Sequence, residues 1–369
     1  MRVIRSAPGP VVETPDGPKL CFCSNDYLGL AADPRVAEAI RSGVDRWGAG
    51  AASSRLVAGN TAAHAELEER LAEFAGTEAA VLFPTGFQAS LGALTALTDE
   101  GDIVLSDELN HASLVDGCRL SRARVLVFRH LDAEHLEQRL RESAGPGLRL
   151  IVTDAVFSMD GDIAPLAEIC RLADRHGAHV LLDEAHALGV LGPGGRGLAA
   201  SLGLGERVAL RAFTFGKALG VSGAAVACDS SAARLLASRA RSLLYTTAPP
   251  PHLCEALLAA LSLAEAADAR RERLGANVAR FRELAAAAGI PLGNSSTPIQ
   301  PVPVGDARRV MRVSESLWDS GVFVQGIRPP TVPAGTSRLR VTLTAAHEPE
   351  HIGRLVAALS AALDRTEAR

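Results

Sequence analysis

The sequence predicts an α/β protein, with a large domain built on a mainly parallel sheet flanked by helices and a smaller C-terminal α/β domain. From residue 79 onward, short apolar runs alternate with glycine-containing turns and helical segments. Such alternation is typical of parallel sheets with helices on both faces. After YTTAPPP, at 245–251, the sequence changes to long Ala/Leu/Arg helices, and the triple proline predicts a hinge.

The length of 369 residues suits two domains. We predict an extended N-terminal segment over 1–33, a large domain over 34–250 and a small domain over 251–369. Hydrophobic residues make up 47% and charged residues 22% of the chain, which is an ordinary globular balance. The net charge is −4 and the basic residues are scattered, so neither nucleic acid nor a membrane surface is expected as a partner.

Cysteine usage and hydropathy predict a cytoplasmic protein without a metal site. The six cysteines are spread along the chain, mostly in apolar runs, as expected for reduced thiols in a reducing compartment. Cys21 and Cys23 have the wrong spacing for a zinc knuckle, and no second pair accompanies them. The N-terminus lacks an apolar targeting segment, and no apolar run approaches the roughly 18 residues of a membrane span.

Apolar periodicity and turn residues place the elements of the first part of the chain. Helices are predicted where apolar residues recur at helical spacing, often after a proline or a polar cap: 34–47, 61–74, 86–97 and 165–175. Strands are predicted at short apolar runs bounded by polar or glycine-rich turns: 79–83, 103–106, 125–128, 150–157, 180–183, 208–213 and 221–228.

The same criteria place the elements that follow the triple proline. Two long helices are predicted over 252–288 because this segment is rich in strong helix formers. Alternating shorter segments then follow: strand 299–304, helix 307–320, strands 322–324 and 339–343, and helix 349–363. The loop RPPTVPAGT, at 328–336, separates the last two strands.

Two segments match known nucleotide-binding motifs, but neither has the sequence context that a nucleotide site requires. GPGGRG, at 192–197, matches G-x-G-x-x-G but does not open a helix within a β–α–β start. DEAH, at 183–186, resembles a helicase box, but the sequence contains no G-x-x-x-x-G-K-[ST] phosphate loop, which a helicase needs to bind its triphosphate.

Five polar residues follow predicted strands, at the edge where ligands of parallel sheets bind. They are His111, Ser158, Asp183, His186 and Lys217. Each has an ordinary structural explanation when taken alone: Lys217 could extend its amine to water, Asp183 could cap a turn, and His111 could be a satisfied core histidine. Their shared position at strand ends favours a functional site.

Together these residues match what pyridoxal phosphate requires of a protein. Lys217 lies between apolar runs that disfavour its ammonium form, the setting of an amine that forms a Schiff base. Asp183 can keep the pyridine nitrogen protonated. His186 and Ser158 can hydrogen-bond the phenolic oxygen, and His111 can stack on the ring face.

The phosphate of this cofactor needs backbone N–H donors at the start of a helix. Gly86 and Phe87 open the helix predicted over 86–97, directly after a strand. Thr214, three residues before Lys217, offers a hydroxyl to the same group. The sequence therefore predicts pyridoxal 5'-phosphate as the cofactor.

Longer stretches make the chain resemble the α-oxoamine synthases among the fold-type I pyridoxal-phosphate enzymes. The matching segments run from about residue 20 to near the C-terminus: CSNDYLGL, SSRLVAGNTAAHAELEERLAEF, TGFQAS, SDELNHASLVDGCRLS, IVTDAVFSMDGDIAPLAEI, DEAHALGVLGPGGRG, TFGKALGVSGAAV, YTTAPPP and RPPTVPAGTSRLRVTLTAAH. The resemblance implies the fold-type I architecture and a homodimer with shared active sites.

The resemblance also implies residue roles at the matching positions. Lys217 is similar to the Schiff-base lysine and Asp183 to the partner of the pyridine nitrogen, while His111 corresponds to the stacking histidine that faces the substrate. Ser158 and His186 match the phenolic-oxygen site, and Gly86, Phe87 and Thr214 match the phosphate site. Thr331 falls in the substrate loop, and Arg340 resembles the arginine that holds the amino acid's carboxylate. Thr246 and Thr247 are expected to reach the neighbouring subunit's phosphate.

Some positions depart from the family pattern. The N-terminal leader is short, and Arg2 or Arg5 could replace an arginine that family members carry there. Asp154 stands where a glutamate is expected, and DEAHALG replaces the commoner D-D-A-H-G/S-x-G. These departures bear on substrate fit more than on the basic chemistry.

Among family members, RPPTVPAGTSRLR points to the one that condenses L-alanine with a pimeloyl thioester in biotin synthesis, releasing CO2 and the thiol. The acyl carrier is left open between coenzyme A and acyl carrier protein. The alternatives are a sister synthase using glycine or serine or another thioester, a pyridoxal-phosphate aldolase or lyase, and a cofactor-binding scaffold without turnover.

Overall fold

The computed structural model describes residues 2–143 and 145–367. The chain divides into a large unit, Pro34–Phe157 with Ile163–Ala266, and a small unit, Met1–Asp33 with Ser158–Asp162 and Ala267–Arg369. Compared with the predicted domains, residues 1–33 and 158–162 are grouped with the small unit, and residues 251–266 are grouped with the large unit. The reason for the last difference is close packing of the helix that begins at Pro251 on the helix that begins at Pro34, where a Cβ on Gly43 would lie 2.9 Å from the backbone of His252.

The strands are numbered β1 to β13 in chain order. Most are short, and each is bounded by a turn or a glycine. Their bounds are β1 Val11–Val12, β2 Lys19–Cys21, β3 Ala79–Phe83, β4 Ile103–Asp107, β5 Arg124–Phe128, β6 Arg149–Asp154, β7 His179–Asp183, β8 Leu210–Thr214, β9 Ala224–Cys228, β10 Ile299–Gly305, β11 Val322–Phe323, β12 Gln325–Ile327 and β13 Ser337–Thr342.

The helices are numbered α1 to α13 in the same way, and short 3₁₀ turns occur at Pro193–Gly195 and Gly205–Arg207. Their bounds are α1 Pro34–Trp47, α2 Ala62–Ala75, α3 Gly86–Leu97, α4 Ala112–Leu120, α5 Ala133–Glu142, α6 Leu166–His176, α7 Leu198–Ser201, α8 Ser230–Arg239, α9 Arg241–Leu244, α10 Pro251–Glu265, α11 Asp268–Ala287, α12 Ala307–Asp319 and α13 Pro349–Glu367.

The large unit is built on a seven-stranded sheet in the order β3-β9-β8-β7-β6-β4-β5. Strand β9 pairs antiparallel with β3 and β8, and the other pairings are parallel, which confirms the predicted mainly parallel sheet. Its core joins apolar residues of the strands to those of α3, α4 and α8, among them Phe83, Leu94 and Leu114. The carboxyl ends of β4, β6, β7 and β8 therefore open on one edge of the sheet.

The small unit contains two three-stranded sheets, in the orders β1-β2-β11 and β10-β13-β12. The first joins distant parts of the chain, since Leu20 of β2 pairs in parallel with Val322 of β11. In the second, β13 is the central strand and pairs antiparallel with both neighbours. The N-terminal segment, predicted as an extended lead-in followed by a short strand at CFC, thus contributes two strands to a sheet.

Capping residues explain why the helices begin where they do. Thr85, Asp132, Asp229 and Asp306 each accept a backbone N–H of the first turn of α3, α5, α8 and α12. The bounds predicted for α1 and α3 agree with the structure. Within the described part of the chain, no helix is both long and apolar enough to cross a bilayer.

Candidate active site

Lys217 lies in the loop that joins β8 to β9 in an antiparallel hairpin. The loop is tied by backbone hydrogen bonds from Phe215 N–H to Gly223 O, at 3.0 Å, and from Gly220 N–H to Lys217 O, at 3.0 Å. Gly223 has a φ of +136° and its α-carbon faces the Phe215 ring, where an added Cβ would come within 3.2 Å. The half-buried Lys217 side chain is therefore presented from an ordered loop at the sheet edge.

Asp183 ends β7 and is only 5% exposed. Its Oδ1 accepts the backbone N–H of Ala185 at 2.9 Å, and its Oδ2 accepts the hydroxyl of Ser90, on α3, at 3.4 Å. These donors are neutral, so they orient the carboxylate without neutralising its charge. A fixed, buried carboxylate of this kind suits a cationic ring nitrogen.

His111 connects β4 to α4 and is the N-cap residue of α4. Its backbone N–H donates to Asp154 Oδ2 at 2.7 Å, which ties it to the end of β6. Part of the ring is exposed, yet the surrounding protein desolvates it and lowers its pKa; the charge of Asp183 raises the same pKa and that of Lys217 lowers it. The structure thus brings His111, Asp183 and Lys217 within electrostatic reach of one another.

Asp154 is buried beside these groups, at the end of β6. Burial raises its pKa well above the ordinary value, and the negative charge of Asp183 raises it further. The hydrogen bond from His111 and the charge of Lys217 act in the opposite direction. The balance of these effects favours the neutral form of the Asp154 carboxyl beside Asp183.

The start of α3 and Thr214 together form a candidate anion site. Thr85 Oγ1 accepts the N–H of Gln88 at 3.2 Å. Helix geometry gives the first-turn N–H groups of Gly86 and Phe87 no acceptor within the helix. A Cβ added to Gly86 would lie 2.5 Å from Thr214 Oγ1, so only glycine lets the hydroxyl come this close to the helix start. Two N–H donors and a hydroxyl therefore converge as a phosphate requires.

His186 lies in the loop that follows β7 and is 5% exposed. The loop is ordered by hydrogen bonds from the N–H groups of Ala187 and Leu188 to Glu184 O, at 2.9 and 2.8 Å. The neighbouring Glu184 side chain accepts the N–H groups of Leu198 and Ala199 at 2.7 and 3.1 Å. His186 is therefore held three residues beyond Asp183 on a rigid turn.

Ser158 and Arg340 lie together in the small unit. Arg340, on β13, is 7% exposed and donates from Nε to the backbone oxygen of Ser158. Its Nη1 donates to Asn25 Oδ1 at 3.1 Å and to Thr342 Oγ1 at 2.9 Å. Each of these acceptors is neutral, so none of them balances the positive charge of the buried guanidinium. Such a cation is suited to an anionic ligand.

Arg338 and Arg2, two other arginines of the small unit, differ from Arg340 because each forms an ion pair with a carboxylate. Arg338, two residues earlier on β13, forms an ion pair with Asp160. Arg2 pairs with Glu315 at 3.0 Å and stacks over Trp318 at 4.0 Å.

Thr331, predicted to lie in the substrate loop, is exposed in a turn, where its N–H donates to Arg328 O at 3.1 Å.

The sequence reasoning missed several residues that hold the predicted ones in place. Asn25 contacts Arg340, Ser90 contacts Asp183, and Ser113 contacts the ring of His111. Ser113 could have been found from its position two residues after a histidine at a helix start. Ser90 and Asn25 could not, because their partners are 93 and 315 residues away in the sequence.

Comparison with known proteins assigns the chain to a family. A family model described as aminotransferase class I and II matches residues 18–359. The 8-amino-7-oxononanoate synthase of Methylococcus capsulatus is 50% identical over 363 residues, covering 98% of this chain and 94% of that protein. That of Aromatoleum aromaticum is 50% identical over 341 residues, covering 92% and 88%. The chain belongs to the class I and II aminotransferases and, within them, to the 8-amino-7-oxononanoate synthase family.

Solved structures agree with this assignment. A Sphingomonas wittichii serine palmitoyltransferase has a TM-score of 0.96 and 31% identity, covering 100% of this chain and 93% of that one. A serine palmitoyltransferase from S. paucimobilis with a bound pyridoxal phosphate–myriocin aldimine has the same score and identity, covering 100% and 94%. The Francisella tularensis 8-amino-7-oxononanoate synthase has a TM-score of 0.81 and 28% identity, covering 94% and 98%. The predicted fold-type I architecture is confirmed.

Proposed function

We propose that the protein condenses L-alanine with a pimeloyl thioester to give 8-amino-7-oxononanoate, CO2 and a free thiol, in biotin synthesis. The observation that carries this proposal is the 50% identity, over 98% of the chain, to a relative named for that product. The cofactor is pyridoxal 5'-phosphate, and the arrangement of Lys217, Asp183 and the anion site fits its aldehyde, its ring nitrogen and its phosphate.

Each part of the cofactor has a matching group in the large unit. Gly86, Phe87 and Thr214 would hold the phosphate through two N–H donors and a hydroxyl. Asp183 would pair with the ring nitrogen, since its carboxylate is buried and oriented by neutral donors. When bound, the cofactor supplies an electron sink for the pair of electrons left at the substrate's α-carbon.

The remaining cofactor roles rest on the family resemblance. His111 would cover one face of the ring, on the side where the substrate binds. His186 and Ser158 would hydrogen-bond the phenolic oxygen. His186 is buried on an ordered turn, and the Ser158 backbone is bonded to Arg340, so both are preorganised.

Lys217 acts as anchor and as proton carrier. Its Nζ would be the group that holds the cofactor at rest. Once free, the amine would take the proton from the substrate's α-carbon and later return a proton to that carbon. The ordered hairpin loop keeps the amine at the sheet edge through both transfers.

Arg340 would hold the carboxylate of the amino acid. Its guanidinium is buried and bonded to neutral acceptors, so a carboxylate would supply the missing negative charge. Thr331 would belong to the loop that contacts the substrate. Fixing the carboxylate sets which bond of the α-carbon breaks first.

The overall bond changes balance. The α-carbon of alanine forms a bond to the thioester carbonyl carbon, and the carbon–sulfur bond breaks with release of the thiol. The carboxylate carbon then leaves as CO2, and its bonding electrons take up a proton at the former α-carbon. No oxidant or reductant is consumed.

The proposal also covers the oligomeric state of the protein and the carrier of the acyl group. We propose a cytoplasmic homodimer with shared sites, in which Thr246 and Thr247 reach the neighbouring subunit's phosphate. Thr246 is half-buried and Thr247 is exposed. The acyl group would arrive on coenzyme A or on an acyl carrier protein.

A sister synthase is the second candidate, because the backbone agrees better with serine palmitoyltransferase, at a TM-score of 0.96, than with the Francisella synthase, at 0.81. A matrix of substrates separates the two. L-Alanine, glycine and L-serine would each be offered to the holoenzyme with pimeloyl-coenzyme A, a pimeloyl carrier protein and palmitoyl-coenzyme A, and products would be identified by mass.

We expect the mass of 8-amino-7-oxononanoate from L-alanine with a pimeloyl thioester, at a kcat/KM at least tenfold above any other pair. Preference for serine with the palmitoyl thioester would assign the sister activity instead. Product without a thioester would indicate an aldolase or lyase, and absence of product from every pair would favour a scaffold.

A further inference from the structure

The ring of His111 also has a structural role, because it caps the N-terminus of α4. His111 is the N-cap residue of α4, with φ −55° and ψ 147°. The common N-cap residues use a side-chain oxygen to accept a first-turn N–H. Here the ring nitrogen Nδ1 accepts the N–H of Ser113 at 3.2 Å and also lies 2.7 Å from Ser113 Oγ. Ser113 is 1% exposed, so water does not replace these contacts.

The cap dictates which ring nitrogen carries the proton. A backbone N–H can only donate, so Nδ1 must present its lone pair to Ser113. The proton of a neutral His111 ring then resides on Nε2. The Ser113 hydroxyl, close to the same lone pair, donates as well. Protonation of Nδ1 would break the cap and place a positive charge at a helix N-terminus, where the helix dipole opposes it.

We propose that His111 works as a neutral imidazole with Nε2–H as its hydrogen-bond donor, and that Ser113 is a positioning residue that sets this state through the cap of α4. The proposal deepens the proposed function and rests on it only for the identity of the substrate oxygen that Nε2–H meets. In this state His111 would donate a hydrogen bond from Nε2 and would not act as an imidazolium acid.

The charges that act on the ring come from three other elements. Asp183, at the end of β7, favours the imidazolium, whereas Lys217, in the β8–β9 loop, opposes it. Asp154, at the end of β6, contributes no net charge when it is protonated, and its Oδ2 fixes the His111 backbone at 2.7 Å. Desolvation is the largest influence and lowers the pKa of His111. Desolvation and the charge of Lys217 act in the same direction as the cap, whereas the charge of Asp183 opposes it.

The protonation state can be observed without turnover. The holoenzyme would be labelled with ¹⁵N in its ten histidine rings, and the ring ¹⁵N shifts would be followed from pH 6 to 8. His111→Asn, which keeps a capping side chain, assigns the signal of His111. We expect the Nε2–H tautomer throughout this range. An imidazolium, or a proton on Nδ1, as the main species would overturn the proposal.

Two serines of the same helix provide a matched pair of variants. Ser113→Ala removes the hydroxyl from Nδ1, and Ser121→Ala removes a hydroxyl that donates to Cys118 O at 2.7 Å, at the other end of α4. Loss of a bond to the neutral ring favours its protonation. We expect Ser113→Ala to raise the midpoint of the His111 titration by roughly 0.5–1 pH unit, and Ser113→Thr to restore it.

Activity gives a second readout. In Ser113→Ala the acid limb of the plot of kcat/KM against pH should shift to higher pH by the same amount. Ser121→Ala should alter thermal stability alone. Wild-type ring shifts in Ser113→Ala would show that the serine does not position the ring. If the substrate matrix yields no product, the proposed function fails, but the ring shifts still decide the proposal about His111 and Ser113.

Discussion

Asp154 and Asp183 lie opposite each other, in register, at the ends of the neighbouring parallel strands β6 and β7. Both are buried, with exposures of 3% and 5%. Two adjacent buried carboxylates do not both ionise readily, because each charge disfavours the other. The pKa of Asp154 is the one raised well above its ordinary value. The pair therefore divides into Asp154, whose neutral form is favoured, and its partner Asp183.

This division predicts different outcomes for the same substitution at the two positions. Asp154→Asn replaces a neutral acid by a neutral amide whose oxygen can still accept the N–H of His111, and we expect kcat/KM to stay within about threefold of wild type. Asp183→Asn removes the charge opposite the ring nitrogen and should cost on the order of 10²-fold or more. Steady-state kinetics and cofactor absorbance would check both. An equal loss in the two variants would refute the assignment of the charge to Asp183.

The lysine content allows a sharp test of Lys217. The sequence contains two lysines, Lys217 and Lys19, and Lys19 is buried with its Nζ donating to Trp318 O at 3.0 Å. Borohydride reduction of the holoenzyme followed by peptide mapping should place the cofactor mass on the Lys217 peptide alone. Lys19 serves as the internal control. Lys217→Ala should lose on the order of 10⁴-fold in turnover; near-wild-type turnover would rule out Lys217 as proton carrier.

Arg340 is expected to govern binding of the amino acid. In Arg340→Met the carboxylate loses a charge-assisted pair, so the KM for L-alanine should rise on the order of 10²-fold. The KM for the thioester should change little. Arg119→Met is the control, because Arg119 is 74% exposed and pairs with Asp116 of its own helix turn. An unchanged KM for L-alanine in Arg340→Met would show that another group holds the carboxylate.

His347 predicts how stability depends on pH. Its Nδ1 accepts the N–H of Thr344 at 3.0 Å, its Nε2 donates to Cys21 O at 3.0 Å, and its ring stacks on Phe22 at 4.2 Å. Burial lowers its pKa to about 4. In the unfolded chain His347 takes up a proton below pH ~6.5, whereas in the folded chain it stays neutral down to about pH 4. The folded state therefore loses stability as the pH falls through this window, by up to roughly 3 kcal/mol.

Urea unfolding between pH 7 and 4 would measure this effect. The wild-type midpoint should fall as the pH drops below 6.5, and the slope should flatten in His347→Gln. His179→Gln is the control, since His179 is exposed at the start of β7. A wild-type slope retained in His347→Gln would assign the pH dependence to other groups.

Local patterns were sufficient for several elements of the fold. The bounds of α1 and α3 followed from periodicity and from the residues at their starts. Lys217 and Asp183 stood out because charged residues directly beside buried apolar strands are rare. By contrast, α8, at Ser230–Arg239, was not predicted, and β12, at Gln325–Ile327, is too short to show a period.

The sequence by itself determined the fold class and the family and predicted the residues proposed to meet the cofactor, because these depend on local periodicity and on motifs a few residues long. Only the tertiary structure decided which groups share an environment. The register of Asp154 with Asp183, the neutral partners of Arg340, and the sheet that joins β2 to β11 all link residues far apart in the chain. Pairing over such distances depends on packing, and packing also fixes the charge state of each buried group.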